Sequence, residues 1–168
     1  FSDAAQPFGL AQAYDLIVSS GEVDRLSGAR GVDVRQRIER DLIYEVARHT
    51  LEVPYRPGNY DGSKIRGLAL FGRVLGEPDF VAEGYRLFKR LIDNAFHYDG
   101  YWHEDTLNYF SMIVGTILRF PDVLGGEGGV DVMGEMPYLP RIYTAPLSLF
   151  MPDGQGLMAN DKRAALTL

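Results

Sequence analysis

Residues 61–95 read DGSKIRGLALFGRVLGEPDFVAEGYRLFKRLIDNA. Apolar and small side chains recur every three or four residues on both sides of Gly76-Glu77-Pro78, a spacing that places them on one face of an α-helix. The inward positions are Ile65, Leu68, Ala69, Gly72 and Leu75 before this tripeptide, and Val81, Gly84, Leu87, Phe88, Leu91 and Ala95 after it. Glycine ends a helix readily, and proline fits the first turn of the next one. The stretch therefore predicts an antiparallel helical hairpin, capped by Asp61 or Ser63.

The same period occurs along the rest of the chain, and no run of residues is typical of a β-strand. Further helices are predicted over residues 10–20, 33–51 and 139–150, and another from Thr106 as its cap to Pro121. Most of the nineteen glycines and nine prolines fall between these segments, which indicates elaborate loops. The sequence thus predicts an all-α fold of consecutive helical hairpins, with function on the loops of one rim.

The composition narrows the classes of partner. The 168 residues are enough for one domain with a real core. The net charge of −6 argues against nucleic acid as the main ligand, because phosphate contacts need a basic surface. No apolar run reaches the length of a membrane-spanning helix. The chain has no cysteine and its three histidines lack the spacing of a zinc site, so neither a metal nor another cofactor is predicted.

A polar and aromatic cluster follows the hairpin, where residues 99–109 read DGYWHEDTLNY. Trp and Tyr rings stack on sugar faces while keeping a polar edge free. Tyr, His and Glu are side chains that transfer protons. The cluster therefore indicates a carbohydrate site. Each residue also has a structural interpretation, with Trp102 as a core side chain, His103 as a surface residue and Glu104 as a helix cap.

The order of these motifs resembles that of the heparinase II/III-like polysaccharide lyases, which include alginate and glycosaminoglycan lyases. Residues 58–62, Gly-Asn-Tyr-Asp-Gly, are similar to the family's Asn-containing loop before a helix. The hairpin follows with its Leu-Gly-Glu-Pro-Asp turn, and then comes an Asp-Gly-aromatic-aromatic-X-Glu segment that leads to Tyr109. The resemblance covers about residues 35–120 and, more weakly, residues 152–161. Two positions depart from the family pattern: Asp105 stands where Gly is frequent, and Tyr60 where His or Trp is frequent.

The resemblance implies a fold and a setting. In the family an incomplete α/α toroid is followed by β-sandwich sheets, so residues 1–168 would form the C-terminal part of the toroid in a larger multidomain protein. The remaining toroid helices and the β-sandwich domain would be partners within the same protein. The substrate would be an acidic polysaccharide or oligosaccharide, and the location periplasmic or extracellular.

The resemblance also implies a reaction, the β-elimination of a uronic-acid polysaccharide by a carbon–oxygen lyase. Such catalysis needs a donor to the uronate carboxylate, a base at C5 and an acid at the leaving O4. By resemblance, Asn59 neutralises the carboxylate, Tyr109 acts as proton donor and base, and Glu104 orients a catalytic group. From the residues alone, Asn59 can also be a turn residue, and Tyr109 can be a helix tyrosine with its hydroxyl at the surface.

A second catalytic group, which a later segment supplies in the family, has no match in this sequence. Arg141, Tyr143 and the region around Asp161 are candidates for rim residues only. The resemblance therefore implies that this segment alone lacks part of its site and is inactive in isolation.

Further side chains are candidates for binding the sugar chain. They are Tyr60, Tyr101, Trp102, His103 and Arg66. Tyr60 stands beside Asn59 either as a hydrogen-bond donor or as a packing residue of the loop. Arg66 can hold a uronate carboxylate together with Arg56 and Lys64, or the three can form an ordinary solvated face.

Two other functions fit the same residues. An α/α-barrel glycoside hydrolase would take its acid and base from Asp99, Glu104 and Asp105. A non-catalytic helical module would bind carbohydrate through the aromatic cluster, without Asn59 and Tyr109 facing one cleft. The product separates the two enzymes, because a lyase leaves an unsaturated uronate that absorbs ultraviolet light and a hydrolase does not.

Overall fold

The computed structural model describes residues 6–52, 57–104, 107–124, 131–137, 139–150 and 152. Within these residues the chain is helical and forms no β-strand. The α-helices are α1 Gln6–Ser19, α2 Glu22–Arg30, α3 Val34–Ile38, α4 Tyr44–Glu52, α5 Asp61–Leu75, α6 Pro78–Ala95, α7 Leu107–Ile117, α8 Phe120–Leu124, α9 Val132–Glu135 and α10 Leu139–Thr144. A π-helical turn, Glu39–Ile43, joins α3 to α4, and a 3-10 turn, Ala145–Leu149, follows α10. The prediction of an all-α fold is confirmed, and the toroid stays a prediction.

The predicted hairpin is present as α5 and α6. Proline occupies the first position of α6, where an N–H would have no partner within the helix. The predicted inward side chains are buried, apart from Leu75 and Val81, which are half-buried. A methyl group on Gly84 would lie 2.8 Å from the Ala69 Cβ atom, so small residues allow the two helices to approach closely. The apolar period of the sequence therefore located both helices and the faces that they bury.

The chain divides into two compact units. The first unit comprises Phe1–Arg56 and Ser63–Arg86, and the second comprises Pro57–Gly62 and Leu87–Leu168. Asn59 and the segment 99–109 thus belong to the same unit. None of the helices in the described ranges has the length and apolar character that crossing a membrane requires.

In the first unit, two tyrosines donate hydrogen bonds to carboxylates far away in the sequence. Tyr14 on α1 donates to Glu39 in the π-helical turn, and Tyr44 on α4 donates to Glu77. Burial, together with the bond to Glu39, raises the pKa of the Tyr14 hydroxyl. The bond to Glu77, together with burial, raises the pKa of Tyr44 to about 12. The bond from Tyr14 holds α1 next to the π-helical turn. The bond from Tyr44 holds α4 next to the α5–α6 connection.

The second unit is built around aromatic side chains. Phe88 on α6 stacks on Phe120 of α8, with ring centroids 4.0 Å apart. Trp102 is fully buried and meets the edge of Phe96 at a centroid distance of 5.2 Å. Phe96 and Trp102 also form an isolated antiparallel β-bridge. The connection between α6 and α7 is therefore anchored in the core at both of its ends.

Several helix boundaries differ from the sequence predictions. The sequence does not predict α2, because this helix lacks an apolar stripe. It buries Val23 and no other described side chain. Asp33 caps α3 by accepting a hydrogen bond from the Gln36 N–H at 2.8 Å, but the helix predicted to follow is interrupted by the π-helical turn. Helix α7 ends at Ile117 rather than at Pro121, which lies in the first turn of α8, where proline is tolerated.

Candidate functional site

The loop that carries Asn59 is a closed turn at the start of α5. The Asp61 N–H donates to the Gly58 carbonyl at 3.0 Å, and the Gly58 N–H donates back to the Asp61 carboxylate at 3.2 Å. The turn residue between them, Asn59, is half-buried, and Tyr60 is 49% exposed. The reciprocal bonds fix the turn, so both side chains project from a backbone with little freedom.

Gly62 places this loop against α7. A Cβ atom on Gly62 would lie 2.9 Å from the Ile113 Cδ1 atom and 3.0 Å from the Thr116 Cγ2 atom. Ile113 and Thr116 follow Tyr109 by four and seven residues, so all three share one face of α7. Asn59 precedes Gly62 by three residues, which is at most about 11 Å of chain. Gly62, three residues after Asn59, therefore packs on the face of α7 that carries Tyr109, which is itself half-buried.

The segment between α6 and α7 is a compact reverse turn. The His97 N–H donates to the Tyr101 carbonyl and the Gly100 N–H to the His97 carbonyl, both at 2.8 Å. The Asp99 carboxylate accepts the Tyr101 N–H at 3.0 Å. The His103 N–H closes the turn on the last residue of α6, Ala95, at 3.0 Å. Asp99 thus acts locally as a turn-forming residue.

Trp102 and Glu104 form a pair at the base of this turn. The indole Nε1 donates to the Glu104 Oε2 atom at 2.6 Å. Trp102 is 0% exposed, and Glu104 is half-buried. A fully buried indole presents no face on which a sugar can stack, which corrects the interpretation of Trp102 as a stacking platform. The bond instead gives the buried N–H its acceptor and holds the residues that lead into α7.

Tyr101 and His103 are half-buried neighbours of this pair. The Tyr101 ring stacks almost parallel on Phe110, with centroids 5.1 Å apart and planes inclined by 13°. One face of Tyr101 is therefore covered by the Phe110 ring. The His103 ring lies 4.5 Å from the Trp102 ring, and its Nε2 atom is buried and has no hydrogen-bond partner among the described residues.

Arg66 lies in the first unit, on α5, and is 7% exposed. Its guanidinium carbon lies 3.6 Å from the centroid of the Phe8 ring, in a cation–π contact. Burial against Phe8 corrects the interpretation of Arg66 as a side chain that holds a uronate carboxylate. Lys64 is half-buried on the same helix. Other candidates lie outside the described residues, namely Arg56, Asp105, Thr106 and Asp161.

A groove of about 440 Å³ opens in the second unit beside the reverse turn. Its polar lining includes Asp93, His97 and Arg141. The sequence predictions include Arg141 as a rim residue but not the other two. Asp93 lies on the polar side of the last turn of α6, outside its apolar stripe, whereas His97 lies in the turn after α6, where no helical spacing marks it.

Within the described ranges, no group of three or more His, Asp or Glu side chains is arranged to hold a metal ion. Neither a family model nor a curated protein nor a solved structure matches this chain. The arrangement of its own residues is what bears on its function.

Proposed function

We propose that this chain supplies catalytic residues of a lyase that cleaves a uronate-containing polysaccharide by β-elimination. The observation that supports this proposal is the packing of the Asn59 loop, through Gly62, on the Ile113 and Thr116 face of α7 that also carries Tyr109. An amide donor and a phenol then stand on neighbouring elements of one unit. This is the pair that elimination from a uronate requires on one side of the sugar.

The reaction breaks two bonds and forms a carbon–carbon double bond. A base removes the C5 proton, the C5–H electron pair forms the double bond between C4 and C5, and the C4–O4 bond breaks. Negative charge builds on the uronate carboxylate as C5 is deprotonated. The Asn59 amide donates a hydrogen bond to that carboxylate and lowers the cost of this charge.

Tyr109 is proposed to transfer the proton. Its hydroxyl protonates O4 as the C4–O4 bond breaks, so that the leaving sugar departs as an alcohol. On the epimer that presents the C5 proton and O4 on the same face of the ring, the Tyr109 phenolate first removes the C5 proton and then delivers it to O4. On the other epimer, a second group supplies the base.

Glu104 takes a positioning role in this scheme. Its carboxylate holds the buried Trp102 indole and thereby the turn that leads into α7. Tyr60, exposed beside Asn59, and the half-buried Tyr101 are the side chains proposed to contact neighbouring sugars. His103 remains a candidate for binding the substrate.

The test is a comparison of Asn59→Ala and Tyr109→Phe with matched controls. Asn94→Ala removes an exposed amide that donates to the Arg90 carbonyl, and Tyr85→Phe removes a half-buried phenol in the first unit. We expect kcat to fall about 10²–10³-fold for Asn59→Ala and about 10²–10⁴-fold for Tyr109→Phe. The controls should retain kcat within about twofold, because neither side chain belongs to the Asn59 loop or to α7.

The products of the same assay decide between the enzyme classes. The lyase proposal requires an unsaturated uronate with ultraviolet absorbance. Shortening of the polysaccharide without this absorbance would identify a hydrolase, and unchanged turnover in both variants would refute the roles of Asn59 and Tyr109.

A further inference from the structure

The groove beside the reverse turn has the size and the walls of a ligand site. Its volume of about 440 Å³ falls within the range of about 300–1,000 Å³ that is typical of small-molecule sites. The last turn of α6 contributes Asp93 to its lining, and α10 contributes Arg141. The turn residues His97 and Tyr98 complete the polar and aromatic part of the lining.

Gly100 fixes the separation of two of these walls. Its φ is +91°, a backbone angle that residues other than glycine rarely adopt. A Cβ atom at this position would lie 2.6 Å from the carbonyl carbon and oxygen of Arg141. The turn is therefore in direct backbone contact with α10. This contact fixes the backbone of the turn next to the backbone of α10, and an ordered backbone reduces the entropic cost of binding.

The groove is lined by charged side chains of both signs. Arg141 is exposed, donates to the Tyr98 carbonyl at 3.5 Å, and forms no ion pair with an acidic side chain of the described residues. A guanidinium has five N–H donors, so most of them remain for a ligand. Asp93, near the C-terminal end of α6, lines the same groove and offers oxygen acceptors. Arg141 thus favours a carboxylate, and Asp93 favours hydroxyl donors.

An aromatic ring stands at the mouth of the groove. Tyr98 is 89% exposed, whereas Phe96 is half-buried in the lining. An exposed tyrosine keeps its hydroxyl in water and offers a ring face on which a sugar can pack.

We propose that this groove is a binding subsite for one uronate residue of an acidic oligosaccharide. Its carboxylate binds Arg141, its hydroxyls donate to Asp93, and its ring packs on Tyr98. The choice of ligand rests on the proposed lyase function. A neutral sugar has no carboxylate for the Arg141 guanidinium, and a polyphosphate would be repelled by the Asp93 carboxylate. A uronate, which has both a carboxylate and hydroxyls, suits the two side chains better than either ligand.

The test is isothermal titration calorimetry of the full chain with short saturated oligomers of mannuronate, guluronate and galacturonate. Neutral cello-oligosaccharides of the same length are the ligand control. The Tyr109→Phe background prevents cleavage during the titration. Arg141→Ala is compared with Arg119→Ala, which removes the same charge from an exposed position of the same unit outside the groove.

We expect Arg141→Ala to raise the Kd for the preferred uronate oligomer about tenfold or more, because a charge-assisted, bidentate contact is lost. Arg119→Ala should change this Kd by less than about twofold. Both variants remove one positive charge, but a charge outside the groove acts on the ligand only at long range, where salt screens it. Tyr98→Ala should weaken binding as well. Trp102 is the single tryptophan of the chain and contacts Phe96 in the lining, so its fluorescence gives a second signal of occupancy.

The following outcomes separate this proposal from the lyase proposal. Elimination activity of the full-length protein together with equal Kd values for Arg141→Ala and Arg119→Ala would overturn the subsite and leave the lyase standing. Uronate binding that depends on Arg141, in a full-length protein that eliminates nothing, would support the subsite and refute the lyase. Binding of neutral oligomers as tight as that of uronates, or no binding of any uronate, would overturn the subsite.

Discussion

Two features of the structure require glycine at position 100. Its backbone is left-handed, and the backbone of Arg141 lies within contact distance. Gly76 provides the matched comparison, because its φ is +75° and, among the described residues beyond its chain neighbours, no atom lies within 4 Å of the position of an added Cβ. We expect Gly76→Ala to cost about 1–2 kcal/mol of unfolding free energy, the penalty of the left-handed conformation alone. Gly100→Ala should cost about 1–3 kcal/mol more, because its methyl group meets the Arg141 carbonyl at 2.6 Å.

Urea unfolding followed by far-ultraviolet circular dichroism measures both losses. A loss for Gly100→Ala no larger than that for Gly76→Ala would show that the turn does not press on α10. The groove beside it would then lack the fixed wall that its proposed ligand requires.

The free energy of unfolding is expected to depend on the ionisation of the Tyr44 hydroxyl at alkaline pH. Its pKa is raised from 10.0 to about 12 in the fold, first by its bond to Glu77 and then by burial. A group with a raised folded-state pKa stabilises the fold fully below its unfolded pKa and loses this contribution as pH rises through the folded value. The contribution of Tyr44 is therefore present below pH 10 and lost between pH 10 and about 12.

The stability difference between the wild type and Tyr44→Phe isolates this effect. It should be constant below pH 9, then shrink as the pH approaches about 12. Tyr14→Phe should show the same sign, since the pKa of Tyr14 is also raised. A difference that stays constant, or grows, through this range would contradict the bonds from the two phenols to Glu39 and Glu77.

At the scale of elements, the contact between the start of α5 and α7 is what supports a joint site. Gly62→Ala would bring a methyl group to 2.9 Å from Ile113 Cδ1, so we expect a loss of about 1–3 kcal/mol in stability and a lower kcat. Gly115→Ala is the control, because it changes the same α7 at a position with open space. Replacing glycine by alanine inside a helix stabilises the helix by about 0.8–1.0 kcal/mol.

Adding Ile113→Val to Gly62→Ala removes the Cδ1 atom that clashes. The double variant should lose less stability than the sum of the two single losses, because the substitutions relieve each other. Strict additivity, or a Gly62→Ala variant as stable and active as the wild type, would show that the Asn59 loop does not depend on this contact.

The helices were predictable from the sequence to the extent that one face carries apolar side chains. The α5–α6 hairpin has such a face, and its turn has Gly76 and Pro78 at the positions where those residues are favoured. Helix α2 has no such face, so local pattern gives no signal for it. The π-helical turn likewise depends on tertiary contacts, including the bond from Tyr14 to Glu39.

The candidate site was less predictable, because composition does not reveal which way a side chain points. Trp102 and Tyr101 are adjacent aromatics in one turn, yet the first is fully buried and the second is half-buried against Phe110. Arg66 follows the Asn59 loop closely in sequence but packs on Phe8. The pairing of the Asn59 loop with α7 needed Gly62, whose role is visible only in three dimensions.

At the scale of the whole molecule, the described residues form two helical units, and the second holds both halves of the proposed catalytic pair and the groove. An acidic chain with a net charge of −6 binds an acidic polymer only where cations are concentrated locally. Arg141 in the groove is such a cation. We therefore expect substrate binding to weaken as the salt concentration rises, because exposed charges are screened.

The decisive measurement is the ultraviolet absorbance of products formed by the full-length protein from alginate, heparan sulfate, chondroitin and hyaluronan. We expect the absorbance of an unsaturated uronate to appear with at least one of these polymers, and to be lost in both Asn59→Ala and Tyr109→Phe. Cleavage without that absorbance, or binding of these polymers with no cleavage of any, would contradict β-elimination by this pair of residues.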